Sequence, residues 1–274
     1  MPSAPFWQRL RRAPWSGSAL VIALVIILCA IGAHWLAPYS PYSMNADALL
    51  DPPSASHWLG TDRFGRDVLS RLLHGARMAL GVAITAVSLA FIGGTTLGML
   101  AGYFGGIPDR IVTGISNLVL AIPEILLALT AIAILGPSQR NLILAIGIVY
   151  LPIFALIARS ATLKVMTEEY ITAVELLGAR PLYILRHHVL TNIWVPLLVQ
   201  IALSLAFAIL AEAALSFLGF GLEPDVPSWG IMLREGKDWM EEAWWLAVFP
   251  GLMISLSTLS FNLLGEACRQ AMEA

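Results

Sequence analysis

A chain of 274 residues has the length of one or two soluble domains, yet 58% of it is hydrophobic and only 12% charged, against about 45–50% and about 25% in soluble proteins. So few polar groups cannot cover that much apolar surface in water, which excludes a soluble enzyme, a nucleic-acid-binding module and a disordered chain. The net charge of −2 leaves no basic footprint for DNA or RNA, and two distant cysteines, Cys29 and Cys268, argue against a disulfide scaffold or a zinc cluster.

A membrane span needs about 20 mostly apolar residues. Runs between charged residues predict an all-α membrane protein with six such helices, at 18–37, 79–101, 112–135, 141–158, 193–217 and 244–264. The segment 1–17 before the first span carries Arg9, Arg11 and Arg12. That basic start resembles a signal peptide, but the apolar core is long and His34-Trp35-Leu36 offers no small-residue cleavage site, so the span reads as a retained anchor. In the polar segment 38–78, residues 54–71 alternate charges with Trp58, Leu59, Phe64, Val68 and Leu69. Two readings stand side by side: an amphipathic element that meets another protein, and a cap in which Asp62, Arg66, Asp67 and Arg71 neutralise one another.

Gly94, Gly98 and Gly102 recur every four residues in the second span, a spacing that lets membrane helices approach closely. Packing within the chain is the simpler use of them, and a gate or partner interface the other. In the third span Glu124 follows Pro123 near the middle. An ionisable residue at depth points to function by default, and the proline frees a backbone carbonyl there. Glu124 either lines a path or bonds to a neighbouring helix, and the same choice holds for Glu212 in the fifth span. Near the outer end of the last span, Trp244 and Trp245 are expected in an aromatic belt.

The segment 159–192 holds a different pattern. Thr167 is expected to cap a helix with acids in its first turn, and Ile171, Val174 and Leu177 to share one face. Gly178 ends that helix or lets another backbone come close. Pro181 opens a second short helix whose apolar face holds Leu182, Leu185 and Val189. This helix–glycine–helix either lies on the lipid headgroups or is a knob for a partner's groove. The adjacent His187 and His188 point apart on a helix and do not form a shared metal site. With both termini inside, nine Lys and Arg fall on the inner segments and seven on the outer ones. The first helix, with three arginines before it, favours the same N-in, C-in orientation.

The 159–192 segment resembles the coupling loop, or EAA loop, of bacterial ABC-importer permeases, with Gly178 at the signature glycine. His57-Trp58-Leu59-Gly60-Thr61-Asp62-Arg63-Phe64-Gly65-Arg66-Asp67-Val68-Leu69-Ser70-Arg71 is similar to a segment of one subfamily, the C-type subunit of the dipeptide, oligopeptide and nickel permeases. Gly102-Tyr103-Phe104-Gly105-Gly106, the 215–221 and 227–230 stretches, Phe249-Pro250-Gly251 and 261–266 resemble further family segments in the same order. The chain departs from the pattern at Val174, where an alanine or acid is usual, and at Thr191, where a proline is usual.

The resemblance implies half of an ATP-driven importer in the bacterial inner membrane, with the 79–274 region as the permease core. Its partners would be a second homologous permease, two ATPase subunits that use ATP and Mg, and an extracytoplasmic binding protein, all within the lipid bilayer and without nucleic acid. This chain itself would bind no cofactor and catalyse nothing. The coupling residues implied are Glu169, Tyr170, Ala173, Leu177, Gly178, Ala179, Leu185 and His188. Pro123, Glu124 and Glu212 would lie on the path, and Trp58, Gly60, Asp62, Arg66, Asp67, Arg71 and Trp229 would face the binding protein. Peptides are the expected cargo, with nickel or a metal chelate as the competitor. A different class, an independent channel or secondary transporter, would show inverted repeats, and the sequence has no convincing one. An intramembrane enzyme would need clustered polar groups at depth, and no H-E-x-x-H, G-x-S-x-G or P-loop pattern occurs.

Overall fold

The computed structural model describes residues 15–273, with side chains described for 15–271. Arg9, Arg11 and Arg12, on which the orientation argument leans, lie outside the described residues. The helices are α1 (Ser16–Leu36), α2 (Val68–Phe104), α3 (Gly106–Leu120), α4 (Glu124–Leu135), α5 (Gln139–Met166), α6 (Glu169–Leu176), α7 (Pro181–Ile184), α8 (Leu190–Phe217), α9 (Trp229–Lys237) and α10 (Trp245–Glu273). Five stretches among the described residues are single helices long and apolar enough to cross a membrane, and α3 with α4 makes a sixth that is bent by 95°.

The second span corrects the expected boundary. It begins at Val68, not near 79, because Asp67 caps it: its carboxylate accepts from the Ser70 amide at 2.8 Å and the Ser70 hydroxyl at 2.7 Å. The fifth span also starts early. Pro181–Ile184 runs through a turn of π-helix, Leu185–Val189, directly into α8, so the second arm of the expected knob is the first turns of a span.

Glycine spacing sets the core. The parallel helices α2 and α5 approach so closely that a Cβ on Gly94 would lie 2.7 Å from the Phe154 Cβ, one on Gly98 2.8 Å from the Ala158 Cβ, and one on Gly102 2.8 Å from the Thr162 Cβ. Without a hydrophobic drive between helices in lipid, such close contact is what holds spans together. Packing within the chain is therefore how this triplet is used here. The first span follows the same rule more loosely: Ala19, Ala23, Ile26, Ala30 and Ala33 are buried, while Leu20, Leu24, Leu28 and Ile31 face outward.

With the bent pair counted as one crossing, both ends of the described chain and the segment 167–180 lie at one end of the bundle. Segments 38–67 and 218–244 lie at the other.

Candidate functional site

Three places carry polar or exposed groups that packing alone does not explain: the break in the third span and the two ends of the bundle.

The third span was expected as one helix over 112–135, but Pro123 splits it. Proline has no N–H to donate and turns the residue before it away from the helical region, so α3 stops at Leu120 and α4 starts at Glu124. The twelve residues of α4 span about 18 Å, too short to cross the hydrocarbon core alone, so with the pair counted as one crossing the break lies inside that crossing. Pro123 and Glu124 line an open groove of ≈ 380 Å³ with Val119, Leu120, Val149 and Ile153. Glu124 also lines a tight space of ≈ 10 Å³, the size of a single small polar group, with Tyr150 of α5 and Ala211 and Leu215 of α8. The Tyr150 side chain is buried, and its hydroxyl faces the Glu124 carboxylate. Sequence reading missed Tyr150, which looks like any aromatic residue in an apolar run.

Glu212, expected with Glu124 on the path, is instead fully buried. One carboxylate oxygen accepts from the Ser216 hydroxyl at 2.9 Å and the Ser228 hydroxyl at 2.8 Å. Ser228 caps α9, so Glu212 fastens that helix to α8.

At the end that carries 38–67, the alternating charges turn inward. Arg66 donates to Asp62 at 2.6 Å and to Glu235 of α9 at 3.2 Å, and Arg71 lies 3.6 Å from Asp62. Asp67 pairs with His57 at 2.9 Å. Asp62, Arg66, Asp67 and Arg71 are each at most 4% exposed, so the charges turn inward as the cap reading has it, but only Asp62, Arg66 and Arg71 pair with one another, and Asp67 is held by His57 and Ser70. Glu235, missed in the sequence, completes it from 169 residues away. Trp229, expected on the outside, is fully buried and its indole N–H donates to the Leu72 carbonyl at 3.0 Å. Trp245 departs from the expected belt: it is buried and donates to the Thr61 carbonyl at 3.1 Å, while Trp244 stays half exposed. Gly60 is buried against Trp245, whose indole nitrogen would stand 2.7 Å from a Cβ there. Of the residues expected to face a binding protein, only Trp58 is exposed, at 70%.

At the opposite end, α6 projects from the bundle. Thr167 does not cap it; Thr167 closes α5, donating to the Lys164 carbonyl at 2.8 Å, and Glu168 takes the cap position. A few contacts hold α6: Ile171 is fully buried, Asn192 donates to the Tyr170 hydroxyl at 3.0 Å, and Glu175 lies close to the Tyr103 hydroxyl. Gly178 ends the helix with φ +80°, the Gly178 amide donating to the Glu175 carbonyl at 2.9 Å and the Ala179 amide to Val174 at 3.3 Å. This is a Schellman closure, which needs a left-handed residue. Nothing lies within 4 Å of a Cβ placed on Gly178, so backbone sign rather than close helix contact explains this glycine.

The exposed face of this element differs from the expected one. Leu176, Leu177 and Leu182 are 84%, 87% and 75% exposed, and Tyr183 is 50% exposed. Glu169, Tyr170, Ala173 and Gly178 are also exposed, Ala179 and His188 are half-buried, and Leu185 is buried. Leu185 therefore belongs with Ile184 and Val189 in the core. Of the expected apolar face of the second arm, Leu182 is exposed while Leu185 and Val189 are buried; Leu176 and Tyr183 were missed, since apolar residues at helical spacing look like core.

The model of one family, binding-protein-dependent transport system inner membrane components, matches residues 94–273, and that of the N-terminal TM domain of oligopeptide transport permease C matches 2–53. The chain is 41% identical over 278 residues to the di/tripeptide transport system permease protein DppC of Pseudomonas aeruginosa (strain UCBPP-PA14), covering 99% of this chain and 92% of that protein. It is 38% identical over 273 residues to the glutathione transport system permease protein GsiD of Pectobacterium atrosepticum, with 99% and 91% covered. Its fold is similar to that of the inward-facing MetNI methionine ABC transporter, at TM-score 0.55 and 20% identity over 72% of this chain and 95% of that one. The chain thus belongs to the binding-protein-dependent transport system inner membrane components, as a permease subunit of the oligopeptide permease C type.

Proposed function

We propose that this chain is one half of the membrane path of an ATP-driven peptide importer, paired with a second, homologous permease. The observation that carries the reading is the projecting α6 with its Gly178 turn, where Leu176, Leu177 and Leu182 stand in the open. Three leucines held out on a short, fixed helix fit the helix-in-groove mode of recognition. The groove would belong to one of two ATPase subunits, which bind ATP and Mg; this chain binds neither and catalyses nothing. Motion reaches the membrane because the arm that leaves Gly178 continues as α7 and α8 without a break in the chain of helical turns. A groove that turns α6 therefore also turns the start of a span.

On this reading the α6 end is cytoplasmic, with both termini, and the ionic cap is periplasmic. There Trp58, Met44 and Leu49 are exposed and form the surface available to a binding protein. Peptides are the favoured cargo because the similar chain from Pseudomonas aeruginosa is named a di/tripeptide permease. The test is reconstitution of the complete complex in liposomes with its binding protein. ATP-dependent uptake of a dipeptide is the expected result. A chain that purifies from its own membrane without ATPase partners would overturn the importer reading, and uptake of nickel in place of peptide would overturn the cargo.

A further inference from the structure

We infer that Glu124 and Tyr150 form a subsite for the α-ammonium group of the peptide as it crosses the membrane, an inference that rests on the importer reading above. Four observations converge on it. Glu124 is exposed on an open groove at the break in a span. Irregular backbone and a carboxylate inside a crossing are tolerated only where protein or water covers them, so this groove faces the path and not lipid. The Tyr150 hydroxyl is buried beside the Glu124 carboxylate and lines a space that Glu124 also lines. A phenol that turns its proton toward the carboxylate keeps its oxygen lone pairs free to accept from an incoming donor.

The fourth observation is the sign of the groups. At the break the Val119 carbonyl is taken by the Ile122 amide at 3.2 Å, while Leu120 and Ala121, the last residues of α3 and its cap, line the groove with carbonyls that have no helical N–H ahead of them. With the carboxylate and the phenol oxygen they make a set of acceptors without a cationic side chain among the lining residues of either space. An ammonium brings three donors and one positive charge. The rest of the lining is apolar and has no means of choosing among side chains, which suits a path for peptides of many sequences. The contact has to be loose, since a passing cargo must also leave.

The test uses the complete complex in liposomes, with Cys29 and Cys268 of this chain replaced by alanine and Glu124→Cys introduced. The single thiol is labelled during turnover with methanethiosulfonates of similar size that carry a sulfonate, a neutral group or a trimethylammonium. Dialanine, which has no other cationic group, is the cargo. Uptake is expected to be about tenfold faster with the sulfonate than with the trimethylammonium, the range of one hydrogen-bonded charge contact, with the neutral label between them. Tyr150→Phe is expected to slow uptake about threefold, as for one neutral hydrogen bond. A rate indifferent to the sign of the label, or a thiol that never labels during turnover, overturns the subsite. If Glu124→Cys does not assemble, Glu124→Gln and Glu124→Asp decide: uptake falls with Gln and returns with Asp, and equal loss in both overturns the inference. An unsubstituted complex that takes up no dialanine instead overturns the importer reading itself.

Discussion

At one end of the bundle Asp62, Arg66, Arg71 and Glu235 are drawn out of solvent into a shared ionic cluster. At the other end Leu176, Leu177 and Leu182 are held out into it. Charged residues inside and leucines outside are each the reverse of what composition leads one to expect. The cap joins segments that lie far apart in sequence, and buried indole and guanidinium donors fix them together. The projecting helix is fixed by little more than Ile171, Tyr170 and a glycine turn. One end is built to keep its own shape; the other presents a shape that becomes complete on a partner. If that is right, damage to the cap should appear as lost stability, and damage to the knob as lost coupling with stability kept.

The largest effect is expected at Asp62. Asp62→Ala leaves the buried Arg66 and Arg71 without their nearest carboxylate, and removal of one partner from such a cluster costs about 3–5 kcal/mol. Thermal unfolding of the purified permease pair in mild detergent measures it. The exposed Asp225 at the same end is the control, with a change from Asp225→Ala under about 0.5 kcal/mol. Similar small shifts at both sites would break the contrast. Next comes the α2–α5 seam, where Gly98→Leu must force apart backbones already in contact, at about 1–3 kcal/mol or more. Gly81, on the same helix with nothing within 4 Å, should accept leucine without loss. A Gly98→Leu variant as stable as Gly81→Leu would mean that the seam is not a determinant of packing.

At Gly178 the expected cost is smaller and of another kind. Gly178→Ala meets no atom, so only the left-handed backbone resists it, by about 1–2 kcal/mol. The substitution should lower the unfolding temperature by only a few degrees, and should reduce ATP-driven uptake per complex out of proportion to that, because α6 leaves the bundle in a different direction. Gly178→Asn, which tolerates this conformation better, should retain more uptake. Equal uptake in both variants and the parent would separate Gly178 from coupling.

These contrasts were unevenly legible in the sequence. The spans could be found because lipid demands long apolar runs, and charges bound those runs. The same criterion failed at the start of α2, where Arg71 and Arg77 look like loop residues; Arg71 is instead buried, paired with Asp62 at 3.6 Å and donating to the Pro41 carbonyl at 3.3 Å. The cap's self-pairing could be posed from Asp62, Arg66, Asp67 and Arg71, which lie within ten residues of one another, but not decided. Its deciding partner, Glu235, comes from a helix that only the fold brings near. Tyr150 escaped for the same reason, being brought to Glu124 by the crossing of α4 and α5. At the knob the spacing of Ile171, Val174 and Leu177 predicts one shared face, yet the helix ends at Leu176, Ile171 is fully buried, Val174 half-buried and Leu177 among the most exposed residues. Periodicity identifies an apolar face; it does not tell whether the core or an absent partner covers it.

That ambiguity is where the smallest stability effect carries the most information. Replacing both Leu176 and Leu177 with serine removes two side chains that are 84% and 87% exposed. Little burial is lost within the chain, so the unfolding temperature of the permease should not fall, and the stability change should stay within about 0.5 kcal/mol. If these leucines seat in an ATPase groove, however, each forfeits about 1.5–3 kcal/mol of burial at that contact. The ATPase subunits should then dissociate during purification while the two permeases stay together. Loss of stability together with loss of the ATPases would show that the leucines support the fold of α6 itself. A variant that keeps its ATPases would assign these leucines to the lipid surface, and coupling would have to run through Tyr183 and the helix that follows.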